Sequence, residues 1–287
     1  MIFKDSPRFT FYSLHSAFYI YQVYNHFQLA KKYLHYYFRA SNGKGHGIHS
    51  PFVFDFITTV LNDRQPYLAY EAVEQLRSNL LREQQVLTVQ DFGAGSTVSK
   101  TNSRSIATIA KNAAKPKKYG QLLYRMVKKY QPATVLELGT SLGITTSYLA
   151  LANPGTKVIT MEGAASIAAT ARQNFAALHL QGVELVEGNF DLTLPLLMKQ
   201  LASIDFAFID GNHRRKPTEQ YFHTLLPAIH NDIILIFDDI HWSREMEEAW
   251  EHIKAHEAVS CTIDLFFIGI VFFRQEFKAK QHFSIRF

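Results

Sequence analysis

The 287-residue chain has one cysteine, Cys261. That excludes a disulfide framework and a cysteine-built zinc site, and it fits a reducing compartment. A secretory signal is also missing. The first apolar run, residues 11–30, is interrupted by Ser13, His15, Gln22, Asn25, His26 and Gln28 and has no small-residue cleavage site. Its length of about 20 residues would reach across a bilayer, but the polar groups make insertion expensive. A cytoplasmic chain without a transmembrane segment is therefore expected. The run reads as an amphipathic helix that packs on its own domain, on a second copy as an aromatic homodimer contact, or on a bilayer surface beside Lys31, Lys32 and Arg39. Internal repeats and low-complexity tracts are lacking. With 47% apolar and 19% charged residues, disordered, collagenous and coiled-coil chains are excluded.

Acids are absent from one long stretch. Residues 98–130 hold nine basic side chains (Lys100, Arg104, Lys111, Lys115, Lys117, Lys118, Arg125, Lys128, Lys129) and no Asp or Glu. Residues 1–50 hold six basic residues against Asp5, whereas 131–287 hold 12 basic and 18 acidic ones. The chain is basic in front and acidic behind. A basic stretch of this kind is either a solvated face or a surface for an anionic partner.

Three sections are expected: an aromatic, basic helical segment at 1–45, a helical cap at 46–130, and a catalytic domain at 131–287. The glycine-rich stretch 41–47 separates the first two, and Ser50-Pro51 caps a helix running to about residue 61. Further helices are expected over 66–85, 103–113 and 119–130. From residue 131 the pattern changes to short apolar runs, at 134–138, 157–161, 183–186, 205–209, 233–237, 261–267 and 270–274. The first five are separated by segments long enough for helical crossovers, which predicts parallel strands covered by helices. The last two, joined by Ile268-Gly269, predict an antiparallel hairpin. The fold class is α/β, a Rossmann-like sheet of five parallel strands ending in that hairpin.

The first strand leads into VLELGTSLGI (135–144), where Gly139 and Gly143 let the backbone turn sharply against a ligand at the sheet's carboxyl edge. The spacing is not G-x-G-x-x-G, which argues against a dinucleotide. Glu162 ends the second strand, where an acid can accept hydrogen bonds from both hydroxyls of a ribose. Asp210 ends the fourth strand in IDFAFIDGNH (204–213), and Asp238-Asp239 end the fifth in DIILIFDDIHW (232–242). Three carboxylates at neighbouring strand ends repel one another unless a cation or protons compensate. A hard divalent ion is one solution; helix capping by the acids is the plainer alternative. A second glycine-rich stretch at 89–96 lacks a following strand with a terminal acid, so 91–97 reads as a loop near the active site or a plain connection.

With these motifs in order, residues 131–274 resemble the class I S-adenosylmethionine-dependent methyltransferases. More narrowly they are similar to the metal-dependent O-methyltransferases of the catechol and caffeoyl-CoA type and their macrolide-sugar relatives. The resemblance implies that Glu137, Gly139, Thr140, Ser141 and Gly143 hold the methionine part of S-adenosylmethionine, that Glu162 holds the ribose, and that Gly188, Asn189 and Phe190 lie beside adenine, with Asp210 bordering the cofactor. It implies magnesium or another hard divalent cation on Asp210, Asp238 and Asp239. His213 falls where that family places a catalytic lysine, and a histidine can accept a hydroxyl proton there. His241 is the competing base. Trp242 is expected to wall the acceptor pocket and Trp250 to lie in the core. The expected activity is O-methylation of a small hydroxylated acceptor. The other readings are an RNA-modifying methyltransferase using the basic stretch and a non-catalytic cofactor-binding scaffold.

Overall fold

The computed structural model describes residues 23–89 and 102–287. Residues 1–22 and the glycine-bearing loop 91–97, with Lys100 beyond it, lie outside the described residues. In chain order the elements begin with α1 (His26–Arg39), α2 (Pro51–Phe56), prolonged by a wider turn at Ile57–Leu61, and α3 (Leu68–Leu80). A short antiparallel pair follows, β1 (Val86–Thr88) and β2 (Ser103–Ser105), then α4 (Ile106–Ala113) and α5 (Lys117–Tyr130). The alternating section is β3 (Thr134–Leu138), α6 (Ile144–Ala152), β4 (Lys157–Glu162), α7 (Ala165–Ala177), β5 (Val183–Glu187), α8 (Phe190–Gln200), β6 (Phe206–Ile209), α9 (Arg215–Leu225), β7 (Ile234–Asp238) and α10 (Arg244–Ala255). β8 (Cys261–Asp264), β9 (Ile268–Phe272) and β10 (Gln281–Ser284) complete it.

The main sheet has the order β10-β8-β9-β7-β6-β3-β4-β5. The five expected parallel strands pair as parallel neighbours, and β9 runs antiparallel to both β7 and β8. β6 (FAFI) and β7 (ILIFD) are buried along their whole lengths because helices cover both faces. Strand order reverses between β3 and β6, so the crevice at their carboxyl ends is where this architecture leaves room for a ligand.

The structure changes three expectations. β10, parallel to β8, is an eighth strand. The turn between β8 and β9 falls on Leu265–Phe267, not on Ile268-Gly269; Phe266 takes the left-handed conformation there (φ 71°). Gly269 is instead inside β9, where a Cβ would lie 2.7 Å from the Trp250 ring. Trp250 is buried, as expected. Finally, residues 46–130 are not a cap set over a separate domain. Val53, Phe56, Val73, Ile109, Leu122 and Met126 share one apolar cluster with Val135, Phe208 and Ile270 of the sheet. These helices form one of the two covering layers; α8, α9 and α10 form the other. Residue 131 marks a change of pattern, not a break in packing.

α1 packs on its own chain through Tyr33 and Tyr36, whose rings meet Phe266 at 5.1 and 5.3 Å. Just before α1, Val23 bridges to Ser243 and the Tyr24 N–H donates to the Trp242 carbonyl. Its outer face leaves Phe27, Leu34 and Phe38 exposed.

Candidate active site

The glycine turn follows from local sterics. Gly139 has φ 105°, and a Cβ there would stand 2.1 Å from the Asp210 carbonyl oxygen. The turn therefore presses directly on the end of β6, where the Asp210 N–H donates to the Leu138 carbonyl (2.8 Å). Gly143 (φ 80°) starts α6 against the Phe175 ring, which a Cβ would overlap. Ser141, Asn212 and Asp239 are non-glycine residues with positive φ, and all three sit in strand-to-helix turns at this edge. Such outliers cluster where the surrounding fold fixes a functional geometry.

Glu162 ends β4 beside this turn. Its Oε2 accepts the Ser141 N–H and its Oε1 the Ala164 N–H, each at 2.9 Å. Gly188 (φ 131°) donates to the Glu162 carbonyl, Asn189 caps α8 through the Asp191 N–H, and the Phe190 ring covers Gly211. Glu137 lies under the turn and is fully buried. Thr146 and Thr160 donate to its Oε2, Oε1 has no hydrogen-bond partner among the described residues, and Thr140 bonds Thr160. Burial, against those two hydroxyls, pushes the Glu137 carboxyl up to about 8.

The three strand-end acids converge as expected, and a lysine stands among them. Lys115 Nζ is 3.4 Å from Asp239 Oδ1 and 4.0 Å from Asp210 Oδ1, and it contacts Asp238 Oδ2. Asp238 is buried and makes no hydrogen bond of ordinary geometry through either oxygen. Burial and the Asp210 and Asp239 charges push its carboxyl up, against Lys115. Burial also works against Asp210, but Lys115 and His213 outweigh it and hold this carboxyl at about 2. The three acids hold Lys115 charged despite its burial.

His213 belongs to this group. Its Nε2 lies 3.4 Å from Asp210 Oδ1, and its ring meets Trp242 edge-on at 5.7 Å between centroids. Asp210, His213 and Asp238 place one ligand atom each within 4.8 Å of the others, a spacing that could hold a metal ion.

Residues 136–240, the span holding all these groups except Lys115 and Trp242, match the family described as "Methyltransferase domain". This segment is similar to methyltransferase domains. A transmembrane O-methyltransferase homolog of Rattus norvegicus is 39% identical over 84 residues, covering 28% of this chain and 33% of that protein. The transmembrane O-methyltransferase of Propithecus coquereli is 38% identical over 117 residues, 38% of this chain and 43% of that protein. The chain thus spans less than half the length of these curated relatives. In fold, the SAH-bound methyltransferase PaMTH1 of Podospora anserina covers 79% of this chain and 97% of its own, with a TM-score of 0.55 at 13% identity. Among the described residues no helix is long and apolar enough to cross a membrane.

Two expectations about this part of the chain change. His241 does not face the acids. Its Nε2 bonds Asp264 at 2.8 Å and its Nδ1 bonds Glu247 at 3.1 Å. Burial opposes its charge, but the two carboxylates raise it to about 9. It is a clamped imidazolium with no nitrogen left to accept a proton, which removes it as a base. The basic stretch is not one positive face either. Lys115 is among the acids, Arg125 is buried with its Nε on the Val60 carbonyl, Lys129 pairs with Asp55, and Lys118 lies over the Phe287 ring. Lys115 is the site residue that sequence reasoning missed. The only signal was indirect: three strand-end acids demand a cation, and the acid-free stretch precedes the first strand.

Proposed function

We propose that the chain transfers the methyl group of S-adenosylmethionine to a hydroxyl oxygen of a small acceptor. One observation carries this reading: the glycine turn, the acid triple and His213 meet at the carboxyl ends of β3, β6 and β7, at the sheet's switch point. The donor set suits the cofactor. The 139–143 turn would take its methionine part, Glu162 its ribose, and Gly188 to Phe190 the adenine side, while buried Glu137 supports the turn from below. When bound, S-adenosylmethionine supplies an electrophilic sulfonium methyl group.

The chain's own residues then have defined tasks. A neutral hydroxyl is a poor nucleophile, so a base must take its proton as it attacks. With the His213 Nε2–H directed at Asp210, Nδ1 keeps its lone pair for that proton. The low Asp210 carboxyl stays ionised, orients the ring and stabilises the imidazolium that forms. Trp242, edge-on to His213, walls the acceptor side. Holding both reactants at one edge supplies much of the acceleration. Asp210, Asp238 and Asp239 offer the oxygen donors a magnesium ion takes. Such an ion sits about 2.0–2.1 Å from its ligands, a place Lys115 Nζ fills, so the set does not take both cations together. The nucleic-acid reading gains no support from basic residues that are engaged within the fold.

Calorimetry tests the cofactor assignment. Glu162→Gln and Glu162→Ala should both bind S-adenosylhomocysteine less tightly, by about 1.5–3 kcal/mol for the alanine, which is tenfold or more. NAD binding without any S-adenosylmethionine binding would sink the reading. Mass spectrometry of cell-extract metabolites incubated with labelled cofactor identifies the acceptor, and an absence of methylated product would favour the non-catalytic scaffold.

A further inference from the structure

We infer that Lys115 is the site's resident cation: its ammonium stands where a hard divalent ion would sit and presents an N–H, in place of a metal, toward the acceptor oxygen. This rests on the proposed methyl transfer for its role, but the occupancy itself is a claim about binding and can be tested separately.

The lysine is built into the site rather than swung into it. It lies between α4 and α5, in Ala114-Lys115-Pro116. Pro116 (φ −52°, ψ 142°) and Ala114 (φ −78°, ψ 127°) are both extended, and a residue before proline is itself held away from helical geometry. α5 follows at once and anchors the linker, burying Tyr119, Leu122, Leu123, Met126 and Val127 against the sheet's helical layer. Tyr119 packs on Phe267 and Phe287. From this fixed platform the side chain reaches the acids, with only 14% of it exposed.

The acids are likewise placed for one central cation. Asp239 is held at φ 53° with its N–H donated to the Phe267 carbonyl (2.7 Å). Asp238 lies at the end of β7, fully enclosed, and Asp210 is pinned between Leu138 and His213. An ammonium has three N–H groups. Asp238 and Asp239 are the two carboxylates nearest it, and Asp210, at 4.0 Å, is beyond hydrogen-bond reach. The third N–H is therefore available at the mouth shared with His213. An oxygen losing its proton to His213 would be stabilised there by a fixed positive charge, and no ion would have to be recruited.

The test uses the full chain, treated with chelator and desalted, and titrated with manganese(II), whose free form is read by electron paramagnetic resonance. The wild-type chain should leave manganese free. Lys115→Ala and Lys115→Met should open the acids and bind one ion at least about tenfold more tightly, as a site's charge count predicts. Asp238→Asn placed on Lys115→Met should remove that binding. S-adenosylhomocysteine calorimetry on the same preparations reports folding and the cofactor site independently; its failure in the wild type would overturn the methyltransferase reading and leave the occupancy result standing. Tight, one-to-one manganese binding by the wild type, lost in Asp238→Asn, would overturn the inference. So would lysine variants that bind S-adenosylhomocysteine yet take up no manganese. The wild-type titration decides even if neither lysine variant folds.

Discussion

His213 and His241 each stand three residues after a strand-end aspartate, Asp210 and Asp238, yet their surroundings make them opposites. His213 touches one carboxylate, Asp210, at 3.4 Å and the edge of Trp242, and its Nδ1 has no ion-pair partner among the described residues. His241 lies between Asp264 and Glu247, stacks on Phe266, and has both nitrogens engaged. Lys32 and Tyr24 then hold Glu247 from the other side at 2.9 and 2.7 Å. One ring is oriented and available; the other is tied into the joint between α1, α10 and the β8–β9 turn. What separates base from brace is how many nitrogens the neighbours leave, not where the residue falls relative to a strand.

The largest effect should come from cutting the available ring. His213→Ala should lower kcat by roughly 10²–10⁴ and leave S-adenosylhomocysteine affinity and thermal stability close to wild type. His241→Gln should do the reverse. If His241→Gln gives the large loss of kcat and His213→Ala a small one, the comparison is inverted and the roles with it.

This contrast was only half legible beforehand. β3, β4, β6 and β7 were readable because each is an apolar run largely buried on both faces, whereas edge strand β5 is only half-buried and showed itself by Val183, Leu185 and Val186; β3 has the bounds its pattern predicts. β10 was not, since Gln281, His282, Phe283 and Ser284 form no apolar run and only borrow a place beside β8. The turn before β9 was misplaced because glycine usually marks a tight turn. Here Gly269 is small to admit Trp250, and Phe266 accepts the left-handed conformation with its N–H held by Asp264 Oδ1 (2.7 Å). The acids and His213 were legible because they follow strands whose ends share one edge. Lys115 and the Asp264–His241–Glu247 clamp were not, because each joins segments far apart in the chain and only packing brings them together.

The next effect is on stability and has a defined pH window. The ordinary histidine value is 6.5 and the folded value about 9, so the clamp's contribution is fully present below about 6.5 and is lost as pH rises through about 9. Glu247 is held at about 2 against an ordinary 4.5, by His241, Lys32 and Tyr24 acting against burial. Its side of the same interaction is present above 4.5 and is lost as pH falls through about 2. At pH 6 His241→Gln should cost about 1–3 kcal/mol of unfolding free energy, measured by denaturant melts, and the gap from wild type should narrow above pH 9. A gap independent of pH would show that the ring matters through packing alone.

A smaller change keeps the ring and removes one charge. Asp264→Asn preserves an oxygen to cap the Phe266 N–H, so the turn should survive. Only the negative partner of Nε2 is lost, and the pH at which His241 gives up its proton, followed by NMR, should fall toward the ordinary value. A midpoint that stays near 9 would mean that Glu247 alone holds the charge.

The smallest expected effect tests whether the clamp extends to α1. Lys32 is about a third exposed and bonds both Glu247 oxygens at 2.9 Å. Exposed ion pairs of this kind are worth about 0.2–1 kcal/mol, so Lys32→Met, which also takes the ammonium from over the Tyr24 ring, should move the melting midpoint only slightly. Its electrostatic signature should be clearer than its energy. Without the ammonium, Glu247 presents an uncompensated charge to His241 Nδ1, so the His241 midpoint should rise or stay in place. Salt should shrink any difference, because Lys32 meets solvent more than His241 does. A fall in the His241 midpoint would mean that Glu247 turns away when Lys32 is gone. α1 would then be a working member of the clamp rather than a helix resting on it.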